Sequence, residues 1–288
     1  PYNYIKSLPQ KGFRTKLALA LNVWLQVPQQ EIEVIINVIS TLHSASLMLD
    51  DVQDRSPLRR GQPSTHMIFG ESQTTNTASY LIVEAMRQTF QCLNSNAVTV
   101  LFDHLKMLHE GQGLDIEWRE SLVVPSEAEY LEMVDMKTGA MFQMLWRLMH
   151  GEAASTKNPD LTHLIKVMGR YFQVRDDYMN LVSPQYTQTK GLCEDLDEGK
   201  MSLVMIYTLE ASRTVRRLMQ MRLRDRRGRM MDEMKSFILE EMKKHKSLER
   251  TEVVLQSLHA EILEIIRSVE IDTGVKNEVL RMIFEALK

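Results

Sequence analysis

Long stretches of this chain alternate apolar and polar positions with the period of an α-helix. From Gln29 to Asp54 the residues Ile32, Ile35, Ile36, Ile39, Leu42 and Leu49 recur at helical spacing, and Val34, Val38 and Met48 widen the stripe. The same period predicts helices over Thr77–Leu93, Ala97–Glu120, Glu127–His150, Leu161–Leu181 and Ser202–Ala211, with three or more amphipathic helices in the remainder. The eight prolines fall mostly between these segments. Neither period-2 runs nor Asn-Gly turns point to strands. The expected fold is all-α, a large helix bundle.

Composition changes this picture little. At 288 residues, with 44% hydrophobic and 25% charged residues, the chain has an ordinary globular balance. No Ser/Gly/Pro-rich linker, low-complexity tract or fixed-period repeat divides it, so residues 1–288 are read as one domain. The 20 methionines are expected as adaptable core fillers. A net charge of −3 argues against a nucleic-acid binder working through a basic face, so any anionic ligand must be met locally. The run from Arg213 to Arg229 holds eight arginines interleaved with Leu218, Met219, Met221 and Leu223, and reads as a solvated helix face. Cys92 and Cys193 are too few for a disulfide framework and fit a reducing, cytoplasmic setting. No uninterrupted apolar run approaches the roughly 20 residues of a membrane span. The first residue is Pro1, which is compatible with a further segment upstream.

Charge placement is more informative. In "LMLDDVQDRSPLRRG", Leu47 to Gly61, three acids close an otherwise apolar helix. Asp50 and Asp54 lie four residues apart on one helix face, while Asp51 is rotated away. Like charges at that spacing destabilise a helix by a few tenths of a kcal/mol, roughly, unless a cation sits between them. A second cluster follows in "FQVRDDYMN", where Asp176 and Asp177 again lie on an apolar-periodic helix. Two such clusters suggest acidic walls facing each other across a central cavity. Hard oxygen ligands without His or Cys favour Mg²⁺, and Mg²⁺ between carboxylates commonly brings phosphate oxygens with it. Arg59 and Arg60 follow the first motif, and Lys190 and Lys200 the second, as cations able to contact those oxygens.

These residues resemble the trans-isoprenyl diphosphate synthases, most closely geranylgeranyl diphosphate synthases of the eukaryotic, fungal type. The likeness runs through "PYNYIKSLPQKGFRTKL", "LHSASLMLDDVQDRSPLRRGQPSTHMIFG", "LHEGQGLDIEWRE", "MVDMKTGAMF" and "YFQVRDDYMNLVSPQYTQTKGLCEDLDEGKMS". It is dense over the first two hundred residues, roughly, and loose in the tail. The resemblance implies Mg²⁺-dependent joining of isopentenyl diphosphate to an allylic diphosphate, inside the central cavity of that fold. By position, Asp50, Asp54 and Asp176 match the metal ligands, with Asp51 and Asp177 in support. Lys11, Arg14, His43 and Arg60 match the isopentenyl diphosphate pocket. Arg59, Lys137, Thr138, Gln173, Lys190 and Lys200 match the allylic diphosphate contacts. Outside this set, Lys11 and Arg14 would read as surface charges and His43 as an ordinary helix histidine. Relatives of this kind form homodimers or higher homo-oligomers. The "PYNYIKSLP" entry also resembles the prenyltransferase portion of chimeric terpene synthases, in which a cyclase domain lies upstream.

Product length is expected to follow the depth of an apolar tunnel, since each buried CH₂ contributes about 0.8 kcal/mol until a side chain blocks it. Ala45 and Ser46 are small and would not stop growth at fifteen carbons, as bulky aromatics there do in farnesyl-forming relatives. Ile82 and Val83 stand where close relatives carry aromatics, while His109 agrees with their pattern. The expected product is geranylgeranyl diphosphate, with the twenty-five-carbon geranylfarnesyl diphosphate as the longer alternative. A class I terpene cyclase would need N-D-x-x-S-x-x-x-E where this chain has "DDYMNLVSPQ". A non-catalytic regulatory or scaffold subunit would be expected to have lost acids or cations that are all present here.

Overall fold

The computed structural model describes residues 1–9, 12–155, 158–183, 193–224 and 230–287. Almost all regular structure among them is helical, as the 3.6-residue period requires. The first nine helices are α1 Tyr2–Ser7, α2 Phe13–Leu25, α3 Gln29–Asp54, α4 Thr65–Phe69, α5 Glu71–Cys92, α6 Ser95–Ser121, α7 Glu127–Val134, α8 Ala140–Gly151 and α9 Thr162–Val182. Helices Glu194–Glu198, Leu203–Ala211, Arg213–Arg224, Asp232–Lys244, Ser247–Thr273 and Glu278–Glu285 follow.

The expected helices appear with two informative differences. The segment Glu127–His150 is not one α-helix. A π turn, Asp135–Gly139, joins α7 to α8, and the backbone stays helical through Val134 and Ala140. The second difference is a two-stranded antiparallel ribbon, Leu58–Arg59 (β1) against Gln62–Pro63 (β2), directly after α3. Arg60 and Gly61 form its loop with φ of 57° and 77°. Positive φ at both central residues gives the primed turn whose twist suits a tight hairpin. The ribbon was not anticipated because a non-glycine residue, Arg60, takes the position usually held by Asn or Asp.

Helix α3 is the axis of the site half. It buries Ile32, Ile35, Val38, Ile39, Leu42, Ala45 and Met48. Its neighbour α5 presents Thr74, Ala78, Leu81, Ala85 and Thr89, mostly small residues that let the two backbones approach closely. By length and composition α3 is apolar enough to cross a membrane, and 50% of its most apolar window is buried within the bundle. A large core joins α2, α3, α8 and α9 to Ile262, Ile266 and Val269, and a second packs Val174 and Leu181 of α9 around helix Leu203–Ala211. That helix buries seven consecutive residues, Leu203 to Leu209, and so runs through the interior, apolar on every side. Trp24 Nε1 donates to the Val275 carbonyl at 2.9 Å, and Asn277 Nδ2 to that of Ala20 at 2.8 Å, stitching the C-terminal helices onto α2.

Candidate active site

The last turns of α3 set the first wall. Asp51 points inward and is fully buried, and Arg59 Nε donates to its Oδ1 at 2.8 Å while Nη2 also contacts it. Asp50, on the site side of the helix, stands 3.6 Å from Arg59, 3.7 Å from Lys137 Nζ, and accepts from Gln112 Nε2 at 3.2 Å. Burial alone would favour a neutral carboxyl there, but Lys137, Arg59, Lys200 and Arg119 together hold Asp50 down at about 2, so it is ionised. Asp54 pairs with Arg119 of α6. Burial, then the charges of Asp50 and Asp115, push its carboxyl upward against that pairing.

Helix α9 supplies the second wall. Asp177 is buried and accepts from Tyr130 Oη at 2.8 Å, Gln173 Nε2 at 2.7 Å and Lys200 Nζ at 2.8 Å. Asp176 is half-buried beside it. Lys200 acts on both walls: it pairs with Asp177 and also lowers the pKa of Asp50. The space between the walls is therefore bridged by cationic side chains. Among the described residues, no group of three or more His, Cys, Asp or Glu side chains is gathered closely enough to hold a metal ion.

Between the walls lies the π turn. Lys137 Nζ donates to Asp115 at 2.6 Å, and Asp115, Asp50 and Asp54 raise its pKa despite burial. Thr138 Oγ1 donates to Gln173 Oε1. The hairpin separates its two arginines. Arg59 turns back to the aspartates, whereas Arg60 lies near Arg14 and His43. Burial lowers Arg14 to about 10, with Arg60 adding repulsion. Burial, then Arg14, Arg60 and Arg59, depress His43 well below the usual histidine value. Arg14 Nε and Arg60 Nη1 are buried without a hydrogen-bond partner among the described residues. Cations that repel one another around unpaired N–H groups form a place prepared for an anion.

The structure thus brings together Asp50, Asp51, Asp54, Asp177, Arg59, Lys137, Thr138, Gln173 and Lys200 around one space, and Arg14, His43 and Arg60 beside it. Lys11 and Lys190 lie outside the described residues. Ala45 is buried, Ser46 is half-buried with its Oγ on the His43 carbonyl at 2.9 Å, and Ile82 packs against the core. Val83 is 61% exposed and His109 is also exposed, so neither faces the interior of a single chain. The sequence reading overlooked Gln112, Asp115, Arg119 and Tyr130, which anchor Asp50, Lys137, Asp54 and Asp177. The first three share "GQGLDIEWRE" on α6, where their spacings of three and four residues were the available signal.

Aspartate walls on facing helices, with cation pockets beside them, define a helical enzyme class that handles diphosphates. The polyprenyl synthetase family model matches residues 1–242, and the chain belongs to that family of trans-prenyltransferases. Over its whole length the chain is 46% identical to preasperterpenoid A synthase of Talaromyces verruculosus and 44% identical to the bifunctional sesterterpene synthase of Talaromyces wortmannii. It spans only 37% and 38% of those two proteins. It is also 44% identical to geranylgeranyl pyrophosphate synthase 3 of Zymoseptoria tritici and spans 80% of it.

Proposed function

We propose that this chain extends an allylic diphosphate with isopentenyl diphosphate to geranylgeranyl diphosphate, geranylfarnesyl diphosphate being the longer alternative, as one unit over residues 1–288. The observation that carries this reading is the pair of guanidinium nitrogens of Arg14 and Arg60, buried and without a hydrogen-bond partner among the described residues, beside two aspartate walls that share Lys200. Two neighbouring anion sites match two diphosphate substrates.

Asp50 is ionised, Asp54 lies one turn on and Asp176 stands on the opposite wall; these hard carboxylate oxygens are the donors Mg²⁺ takes, and binding would have to draw them together from the separated positions they hold in the structure. When bound, Mg²⁺ supplies neutralisation of diphosphate charge. The chain's own residues do the rest. Arg59, Lys137 and Lys200 stabilise charge building on the departing diphosphate as its carbon–oxygen bond breaks. Arg14, Arg60 and neutral His43 hold isopentenyl diphosphate so that its double bond forms the new carbon–carbon bond. The proton then lost passes to the released diphosphate. The apolar interior excludes water from the allylic cation.

The test is incubation with Mg²⁺, isopentenyl diphosphate and an allylic diphosphate, followed by mass analysis. Products of twenty or twenty-five carbons are expected, and Asp50→Asn or Asp176→Asn should lower turnover on the order of 100-fold with helicity retained. Farnesyl diphosphate alone would overturn the length assignment. No turnover would leave a regulatory or scaffold role.

We also propose that the domain works as a homo-oligomer in the cytoplasm and as the prenyl-transferring part of a longer protein with a terpene cyclase. The second point draws support from the small share that the chain spans of preasperterpenoid A synthase and of the sesterterpene synthase of Talaromyces wortmannii, the latter called bifunctional. The coding sequence upstream of Pro1 tests it directly.

A further inference from the structure

The π turn that carries Lys137 and Thr138 is an uncommon backbone, and such turns persist only where surrounding contacts fix them. Its first residue, Asp135, is nearly buried and makes a two-point contact with Arg170 of α9: Arg170 Nε donates to Oδ1 at 2.7 Å and Nη2 to Oδ2 at 2.7 Å. Lys166, one turn earlier on α9, adds its Nζ at 3.3 Å. Two glycines let the turn sink between its neighbours. A Cβ on Gly111 of α6 would come within 2.3 Å of the Lys137 backbone nitrogen, and one on Gly169 of α9 within 2.9 Å of Gly139 Cα.

Asp135 is two residues before Lys137, and Arg170 is one helical turn before Gln173, the partner of Thr138. The ion pair therefore locks the rotation of the π turn to the same helix that carries Gln173, Asp176 and Asp177. A two-point guanidinium–carboxylate contact fixes orientation as well as distance, which a single-point lysine pair does not.

Resting on the proposed reaction, we propose that Asp135 and Arg170 are positioning residues that act together. They set the phase of the π turn so that Lys137 and Thr138 meet the allylic diphosphate. Neither touches substrate. A contact that served stability alone would change the amount of folded enzyme, and with it the apparent kcat, without separating the two substrates.

The experiment measures steady-state kinetics of the full chain and of D135N, R170Q, R170K and D135N/R170Q, varying isopentenyl diphosphate and the allylic diphosphate separately. A displacement of about 1 Å can cost on the order of 100-fold, so a partial one is expected to raise the allylic KM at least about tenfold in D135N and R170Q. The isopentenyl KM should stay within about twofold in both. The double variant should be no worse than either single one, since both remove the same contact. R170K keeps the charge but not the two-point geometry and should fall between, so it carries the test if D135N folds poorly. Equal changes in both KM values, a fall in kcat alone, or additive effects in the double variant would overturn the proposal. A wild-type chain that turns over while D135N matches it removes the clamp only. A wild-type chain without turnover removes the proposed reaction and the clamp with it.

Discussion

At the scale of single residues, neighbours in sequence have separate duties because the backbone turns them apart. Asp50 faces the site and Asp51 the interior, about 100° round the helix. Arg59 and Arg60 diverge because Arg59 ends strand β1 while Arg60 opens the turn in the left-handed conformation, with φ of 57°. His43 shows the electrostatic cost of such a pocket. Burial and the charges of Arg14, Arg60 and Arg59 keep it neutral when folded, whereas in the unfolded chain it takes up a proton below about pH 6.5. The unfolded state then binds more protons as pH falls, so His43 subtracts nothing above that value and progressively destabilises the fold below it. The thermal midpoint of His43→Gln should accordingly fall less steeply than wild type between pH 7 and 5, and parallel slopes would refute this. That Asp51 would turn away from the face of Asp50 could be read in the sequence, because helical rotation separates adjacent residues in a fixed way. Those of Gln112, Asp115 and Arg119 were harder to see, because their meaning depends on which helix α6 faces.

At the scale of elements, periodicity revealed α3, α6 and α9 to within a residue or two, because each buries a face that is largely apolar away from the site. It did not reveal the π turn or the Arg60–Gly61 ribbon. An extra residue per turn leaves the apolar pattern of α7 and α8 almost unchanged, and a four-residue ribbon is too short to show a period. Close backbone contact is equally invisible until partners are placed, and Gly111 is the clearest case. Gly111→Ala would force α6 away from the π turn, since its Cβ meets main chain rather than a movable side chain. A cost of about 1–3 kcal/mol is expected, seen as a lower denaturation midpoint together with reduced turnover. We propose that the α3–α5 pair sets chain length. Ile82 of α5 packs against both the large core and the small cluster around Ala45, Met48 and Leu81, so Ile82→Tyr should fill space near the growing chain and shorten the product. Mass analysis showing an unchanged product would remove Ile82 from the tunnel floor. Val83 points outward, and Val83→Phe should leave product length unchanged in any assembly where that face stays clear of the tunnel.

At the scale of the whole molecule, the outward face of α5 offers a test of the proposed homo-oligomer. Tyr80, Val83 and Phe90 are 63%, 61% and 75% exposed and recur at spacings that place them, with Arg87, along one stripe. Phe102 of α6 is exposed as well, at 51%. Isolated exposed apolar residues are ordinary, but three large ones along one helix face are the sort of surface that subunit contacts cover. This face is the back of the helix that packs on α3, so covering it would also stiffen the first aspartate wall against substrate charge. A charge at its most exposed aromatic should therefore weaken association without touching the interior. Phe90→Glu is expected to shift the sedimentation-derived mass toward that of one chain, with helicity and thermal midpoint little changed. If the variant keeps the wild-type mass at micromolar concentration, this stripe is not the contact between copies. If it becomes monomeric and also loses turnover, the outer face of α5 supports the site through the partner it recruits.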